Sequence, residues 1–181
     1  MPPRDPAAAL TLYLLRHAKS SWDDPSLADR DRPLAPRGLR AGRAIAAYVR
    51  ERGIAPGLVL CSPSARTRET LELVGEGFAG ERPPRVEFEA AIYGASADGL
   101  MEVLRRVPPA ERSVMLVGHQ PAIGALAQHL AIDGPASERL AGKFPTGALA
   151  TFSVPGSWEG LGPACAELGD YVKPRELAAA D

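Results

Sequence analysis

Short apolar runs that alternate with stretches of helical period constrain this chain more than any other feature. LTLYLL (Leu10 to Leu15), LVLC (Leu58 to Cys61), VEFE (Val86 to Glu89), SVMLVG (Ser113 to Gly118) and LATFSV (Leu149 to Val154) read as strands, with a sixth expected in ACAELGDYV. Between the first two, GLRAGRAIAAYVRERG sets Leu39, Ile45, Ala46 and Val49 near one helical face. Such alternation predicts an α/β fold around a mostly parallel sheet. The 18 glycines and 18 prolines gather between these segments, so PLAPRG, EGFAGERPP, RRVPPAE and SVPGSWEGLGP read as loops. No repeat or linker divides residues 1–181, a length that suits one domain with its own core.

Open parallel sheets place their sites beyond the carboxyl ends of the strands. At those ends stand Arg16 with His17, then SPSARTRET with Arg66, then Glu89, then His119 of GHQP. A strand that runs into cations with no acid before Asp23 implies a negative partner that is not part of the chain. Two arginines, two histidines and a carboxylate suit a phosphoryl group, because each guanidinium offers a permanently charged fork that matches phosphate oxygens. SPSART also predicts a helix start, with Ser62 as N-cap, Pro63 at the first helical position and Arg66 in the first turn. A histidine among arginines keeps its imidazole neutral and free to attack phosphorus. The poor leaving group then needs an acid, and Glu89 is the carboxylate expected at a strand end; its other reading is a strut that holds an arginine.

These blocks, LLRHAKS, SPSARTRET and VGHQP, resemble the signatures of the histidine phosphatase superfamily, which includes cofactor-dependent phosphoglycerate mutase. DRDRPLAPRG, FPTGALATF and VKPREL are similar to the small bacterial members of the SixA type, so the resemblance spans nearly the whole chain. It implies a three-layer α/β/α fold of the phosphoglycerate mutase kind. By position it implies His17 as nucleophile, Arg16, Arg66 and His119 as phosphate holders, Glu89 at the place of the family's acid, and no metal or cofactor. Two residues depart from the pattern. Ala18 replaces the usual glycine, and Ala35 stands where a threonine would cap the next helix, weakening its start by about 1 kcal/mol.

Other polar residues have plainer readings. Lys19 reads as a loop lysine, its other reading being a further phosphate contact; Arg68 reads as an outward partner of Glu72, His129 as a helical histidine without ligand spacing, and DRDRP as a charge-alternating loop that in the family borders the site, with substrate contact as the other reading of Arg32. Cys61 and Cys165 show no metal spacing and read as reduced thiols. A net charge of −1 argues against a general nucleic-acid binder. The N-terminus lacks a signal-peptide pattern and no apolar run is long enough to span a bilayer, so no membrane partner is expected and the cytoplasm is the expected compartment.

The leading functional expectation is a phosphatase that hydrolyses phosphohistidine, carried on a phosphorylated protein, through a covalent phosphohistidine on the enzyme. A second expectation keeps the mechanism and takes a small phosphorylated metabolite instead. A third is a phosphoprotein-binding module without turnover, against which the two histidines argue. A nucleotide-binding oxidoreductase is set aside because RHAKSS, and not a GxGxxG turn, follows the first strand. Hydrolysis is expected over mutase chemistry, since the chain has little length for the lid that retains an intermediate.

Overall fold

A computed structural model describes residues 9–177. In chain order the elements are β1 (Leu10–Arg16), α1 (Pro36–Glu51), β2 (Leu58–Cys61), α2 (Ala65–Gly75), β3 (Arg85–Phe88) and α3 (Ala97–Arg105). They continue with β4 (Ser113–Gly118), α4 (Ala122–Leu130), α5 (Pro135–Glu138), β5 (Leu149–Val154), β6 (Glu167–Val172) and α6 (Pro174–Leu177). Six strands form one sheet in the order β3-β2-β4-β1-β5-β6. β3, β2, β4 and β1 are parallel, whereas β5 runs antiparallel to both β1 and β6.

Helices cover both faces, which explains why the central strands read as unbroken apolar runs. On one side Leu12, Leu14 and Leu116 pack with Leu100 and Leu104 of α3 and Ile123 and Leu126 of α4. On the other, Leu15, Val59 and Val117 meet Ile45 and Val49 of α1 and Leu71 and Val74 of α2. The outcome is the three-layer α/β/α architecture expected of the chain. Leu39 is only half-buried, and Gly38 and Gly42 take the inward positions of α1 instead. A Cβ on Gly38 would lie 2.1 Å from the Lys19 carbonyl oxygen, so the absent side chain is what lets α1 close on the loop that follows β1.

Two predicted boundaries shift. The strand expected over Val86 to Glu89 runs Arg85–Phe88 on the sheet edge with all four residues exposed, and Glu89 falls just beyond it. The N-cap of α2 is Ser64, so Ser62 and Pro63 belong to the preceding loop, although Arg66 does lie in the first turn. Ala35 is the N-cap of α1 as expected, with extended backbone (φ −75°, ψ 160°) and no side-chain cap bond. Replacing Ala35 with threonine should add about 1 kcal/mol of stability, read as a higher urea midpoint at unchanged slope. An unchanged midpoint would mean that this half-buried turn has no room for the hydroxyl. Among the described residues no helix is long and apolar enough to cross a membrane.

Candidate active site

Parallel register sets the site. Arg16 pairs with Gly118, Cys61 with Val117 and Phe88 with Cys61, so the next residue of each strand stands in one row at the carboxyl edge. His17 N–H donates to the Gly118 carbonyl at 3.1 Å, bringing His17 and His119 onto adjacent strand ends with ring centroids 5.2 Å apart. The loop carrying His17 is clamped from both sides. Gly147 N–H donates to the carbonyls of Arg16 and His17, and the Ala18 amide donates to Thr70 Oγ1 of α2 at 2.9 Å.

His17 Nδ1 lies 2.7 Å from the Ala18 carbonyl oxygen. A carbonyl only accepts, so Nδ1 carries the hydrogen and Nε2 keeps its lone pair. Burial pushes this imidazole down to about 3; the bond to Ala18 opposes that, and His119, Arg66 and Arg16 add to it. The ring is therefore neutral at ordinary pH. His119 Nε2 meets Ser62 Oγ at 2.7 Å, and burial followed by the charge of Arg66 lowers this ring to about 4. Cys61 also ends a strand, but burial pushes its thiol up to about 12, which leaves it inert.

Arg16 Nη1 donates to the Phe144 carbonyl at 2.6 Å, while its buried Nε has no partner. His119 Nδ1 is likewise buried and unpartnered. Gln120 Oε1, an acceptor one residue further on, is unpartnered too. Unsatisfied polar atoms are costly and uncommon in folded interiors, so Arg16 Nε and His119 Nδ1 at one strand edge call for an outside partner. Arg66 is buried and does have a protein partner that the sequence reading missed. Its Nη1 donates to the Asp29 carbonyl at 2.6 Å and its Nη2 to Asp29 Oδ2 at 2.9 Å. Asp29 begins a 3-10 turn, Asp29–Asp31, in the excursion between β1 and α1. The base of that excursion is closed by the bridge between Ser20 and Leu34, and the Leu34 amide donates to Glu69 Oε2 of α2 at 2.8 Å.

Asp29 also accepts from Tyr93 Oη at 2.8 Å and from Arg32 Nη1 at 2.8 Å. Partial burial pushes its carboxyl up, but the bonds from Tyr93 and Arg66 and the charges of Arg66 and Arg32 hold it below its ordinary value. Tyr93 in turn sets its ring edge-on to His119 at 5.5 Å. Arg32 is buried against Ser20, the Ser21 carbonyl and the Trp22 ring, so DRDRP is a structured edge of the site and not a free loop. Glu89, the residue after β3, caps the 3-10 turn Ala90–Ile92, accepting from the Ala91 amide at 3.1 Å, and lines a cleft with Glu87 and Arg106. Arg68 lies over the Phe88 ring and donates to the Pro63 carbonyl, not to Glu72. His129 and Lys19 are exposed. Among the described residues no three His, Cys, Asp or Glu side chains are grouped to hold a metal.

The two depressed imidazoles make stability pH-dependent in a window of their own. The unfolded chain takes up protons near pH 6.5 that the fold excludes, so this contribution is complete above about pH 6.5 and is lost as pH falls toward 4 and 3. The melting temperature should already fall between pH 6.5 and 5, before carboxylates of ordinary strength titrate. A flat profile across that interval would contradict the neutral, buried rings.

Comparison with known proteins gives the same assignment from another direction. Residues 12–92 match the model of the histidine phosphatase superfamily (branch 1). An uncharacterised protein of Mycobacterium tuberculosis is 38% identical over 165 residues, covering 89% of this chain and 100% of its own. The structure of a candidate phosphohistidine phosphatase SixA from Nakamurella multipartitia superposes with a TM-score of 0.82 at 33% identity, covering 94% of this chain and 99% of that one. A similarly described SixA structure from Agrobacterium tumefaciens gives 0.78 at 29% identity, covering 91% and 98%.

Proposed function

The chain belongs to the histidine phosphatase superfamily, and on that premise we propose that it hydrolyses phosphohistidine on a protein by way of a phosphohistidine formed on its own His17. The observation that carries the reading is the neutral ring of His17, its Nε2 lone pair free, beside two buried atoms without protein partners, Arg16 Nε and His119 Nδ1. A phosphoryl group satisfies both and presents phosphorus to the lone pair. Arg16 spends one of its five N–H donors on Phe144 and Arg66 spends two on Asp29, so donors remain on each for the phosphoryl oxygens.

In the first half-reaction His17 Nε2 forms a bond to phosphorus as the bond from phosphorus to the substrate imidazole nitrogen breaks. The electron pair goes to that nitrogen, which takes a proton and leaves. Water then attacks the phosphoenzyme, the bond to Nε2 breaks, and inorganic phosphate departs with His17 restored. Arg16, Arg66 and His119 stabilise the charge on the equatorial oxygens in both steps. Asp29, which touches Arg66, and Glu89, at the end of β3, are the two carboxylates in contention for the proton.

The rim supports a protein-borne substrate. Trp22, 70% exposed, lies against Arg32, which bonds Asp29, and Tyr93, 37% exposed, itself bonds Asp29 and meets the His119 ring edge-on. A side chain projecting from another protein meets these exposed rings first on its way to the buried His17. The deciding measurement compares kcat/KM for a phosphohistidine-bearing protein with that for an alkyl phosphate, in EDTA. We expect a preference of at least about 100-fold for the phosphoramidate; the reverse preference would favour a small phosphomonoester as substrate.

A further inference from the structure

A second cationic site lies away from the phosphoryl cluster. Between the first half of α1, the turn before β5 and the start of α6 is a cavity of about 410 Å³ into which Lys19, Arg37, Arg40, Lys173 and Arg175 converge. None of Arg16, His17, Arg66 or His119 lines it, and neither does any carboxylate. Glu176 answers part of this charge, reaching Lys173 Nζ at 3.7 Å. Among the described residues the side chains of Lys19, Arg37, Arg40 and Arg175 form no ion pair.

Folding alone does not favour this arrangement. Like charges that share a concave, partly apolar wall repel one another more than they would in open water, and clefts of one sign focus the field on an incoming counter-ion. The chain as a whole carries a net charge of −1, so the cluster is a local feature and not the overflow of a basic protein. Four cations without an ion pair among the described residues exceed what one phosphate dianion neutralises and match the three to four negative charges of a di- or triphosphate. Ala41, Ala44, Pro145 and Pro174 supply apolar wall between the cationic heads, leaving room for an uncharged body attached to the phosphates.

We propose that this cavity is a second anion site, distinct from the phosphoryl site, that takes the di- or triphosphate group of a small molecule. Lys19 ties it to the first site: it lies two residues after His17, and its carbonyl accepts the Ala35 amide at the start of α1. The proposal does not depend on His17 being a nucleophile.

The test is calorimetric titration of inorganic triphosphate, and separately of ATP, into the full-length protein with its phosphoryl site first saturated with orthovanadate. One equivalent of triphosphate should bind, and the triple variant Arg37→Ala/Arg40→Ala/Arg175→Ala should weaken it at least tenfold while leaving vanadate affinity and turnover unchanged. Arg50→Ala/Arg82→Ala/Arg106→Ala removes the same charge elsewhere and should have less than a threefold effect. Tighter binding of ATP than of triphosphate would assign a nucleotide to the site; equal binding would assign the phosphate chain alone, and either upholds it. Loss of all triphosphate binding under vanadate, or equal weakening by the two triple variants, would overturn it.

Discussion

Replacing His17 with alanine should lower kcat/KM at least about 10⁴-fold on every substrate, the scale seen when a covalent nucleophile is removed and only the charged pocket remains. Acid-labile phosphate bound to the wild-type protein should vanish with it. Affinity for vanadate should change only a few-fold, because Arg16, Arg66 and His119 keep their donors and their anchors on Phe144, Asp29 and Ser62. The variant should also melt less steeply with acid, having lost the more depressed of the two imidazoles. Rapid quench with ³²P-labelled substrate reads the intermediate, and melting curves read the acid limb. Retained turnover would require another nucleophile, and Cys61, with its thiol pushed up to about 12, does not offer one. Intact binding without turnover in the wild type would instead identify a phosphoprotein-binding module.

How much of this was readable beforehand follows from where the information lies. Strands buried on both faces carry their own signature, so β2, β4 and β5 fall at the predicted residues and β1 runs one residue further. Parallel register then carries Arg16, His17 and His119 to one edge without further information. The exposed edge strand β3 lacks that signature, so its bounds shift by one residue and Glu89 follows the strand as the cap of a 3-10 turn. Ser62 illustrates a similar limit. Local pattern makes it a helix cap, whereas its hydroxyl orients His119, a partner 57 residues away.

Asp29 was illegible for the same reason. In DRDRP two acids alternate with two arginines, a composition that reads as a solvated loop, and the contact that gives Asp29 its place is with Arg66, 37 residues on. The usable signal is the long gap, residues 17–35, between a strand ending in cations and a helix beginning at Pro36, far more than an ordinary strand-to-helix loop needs. An excursion of that length, returning to pair at Ser20 and Leu34, has to pass over the strand ends.

Substitution of Asp29 by asparagine should separate substrates by their leaving groups. With its oxygen in the place of Oδ2 the amide still accepts from Tyr93 and Arg66, while its NH2 takes the place of the oxygen that accepts from Arg32, so the change removes a proton carrier and one contact to Arg32 but keeps the hold on Arg66. Without substrate the carboxyl is held ionised by Arg66, Arg32 and Tyr93, a poor state for an acid. A phosphoryl dianion claims donors of Arg66 and brings like charge against Asp29, which raises its affinity for a proton as the leaving atom begins to need one. We expect Asp29→Asn to slow an alkyl phosphate by about 10² to 10³, within the range for general acid catalysis, and 4-nitrophenyl phosphate by less than about threefold, since that phenolate leaves unaided. Glu89→Gln, whose side chain caps a turn, should be close to wild type on both. Equal losses on the two esters in Asp29→Asn would make Asp29 a holder of Arg66 only, and a selective loss in Glu89→Gln would return the proton to the end of β3.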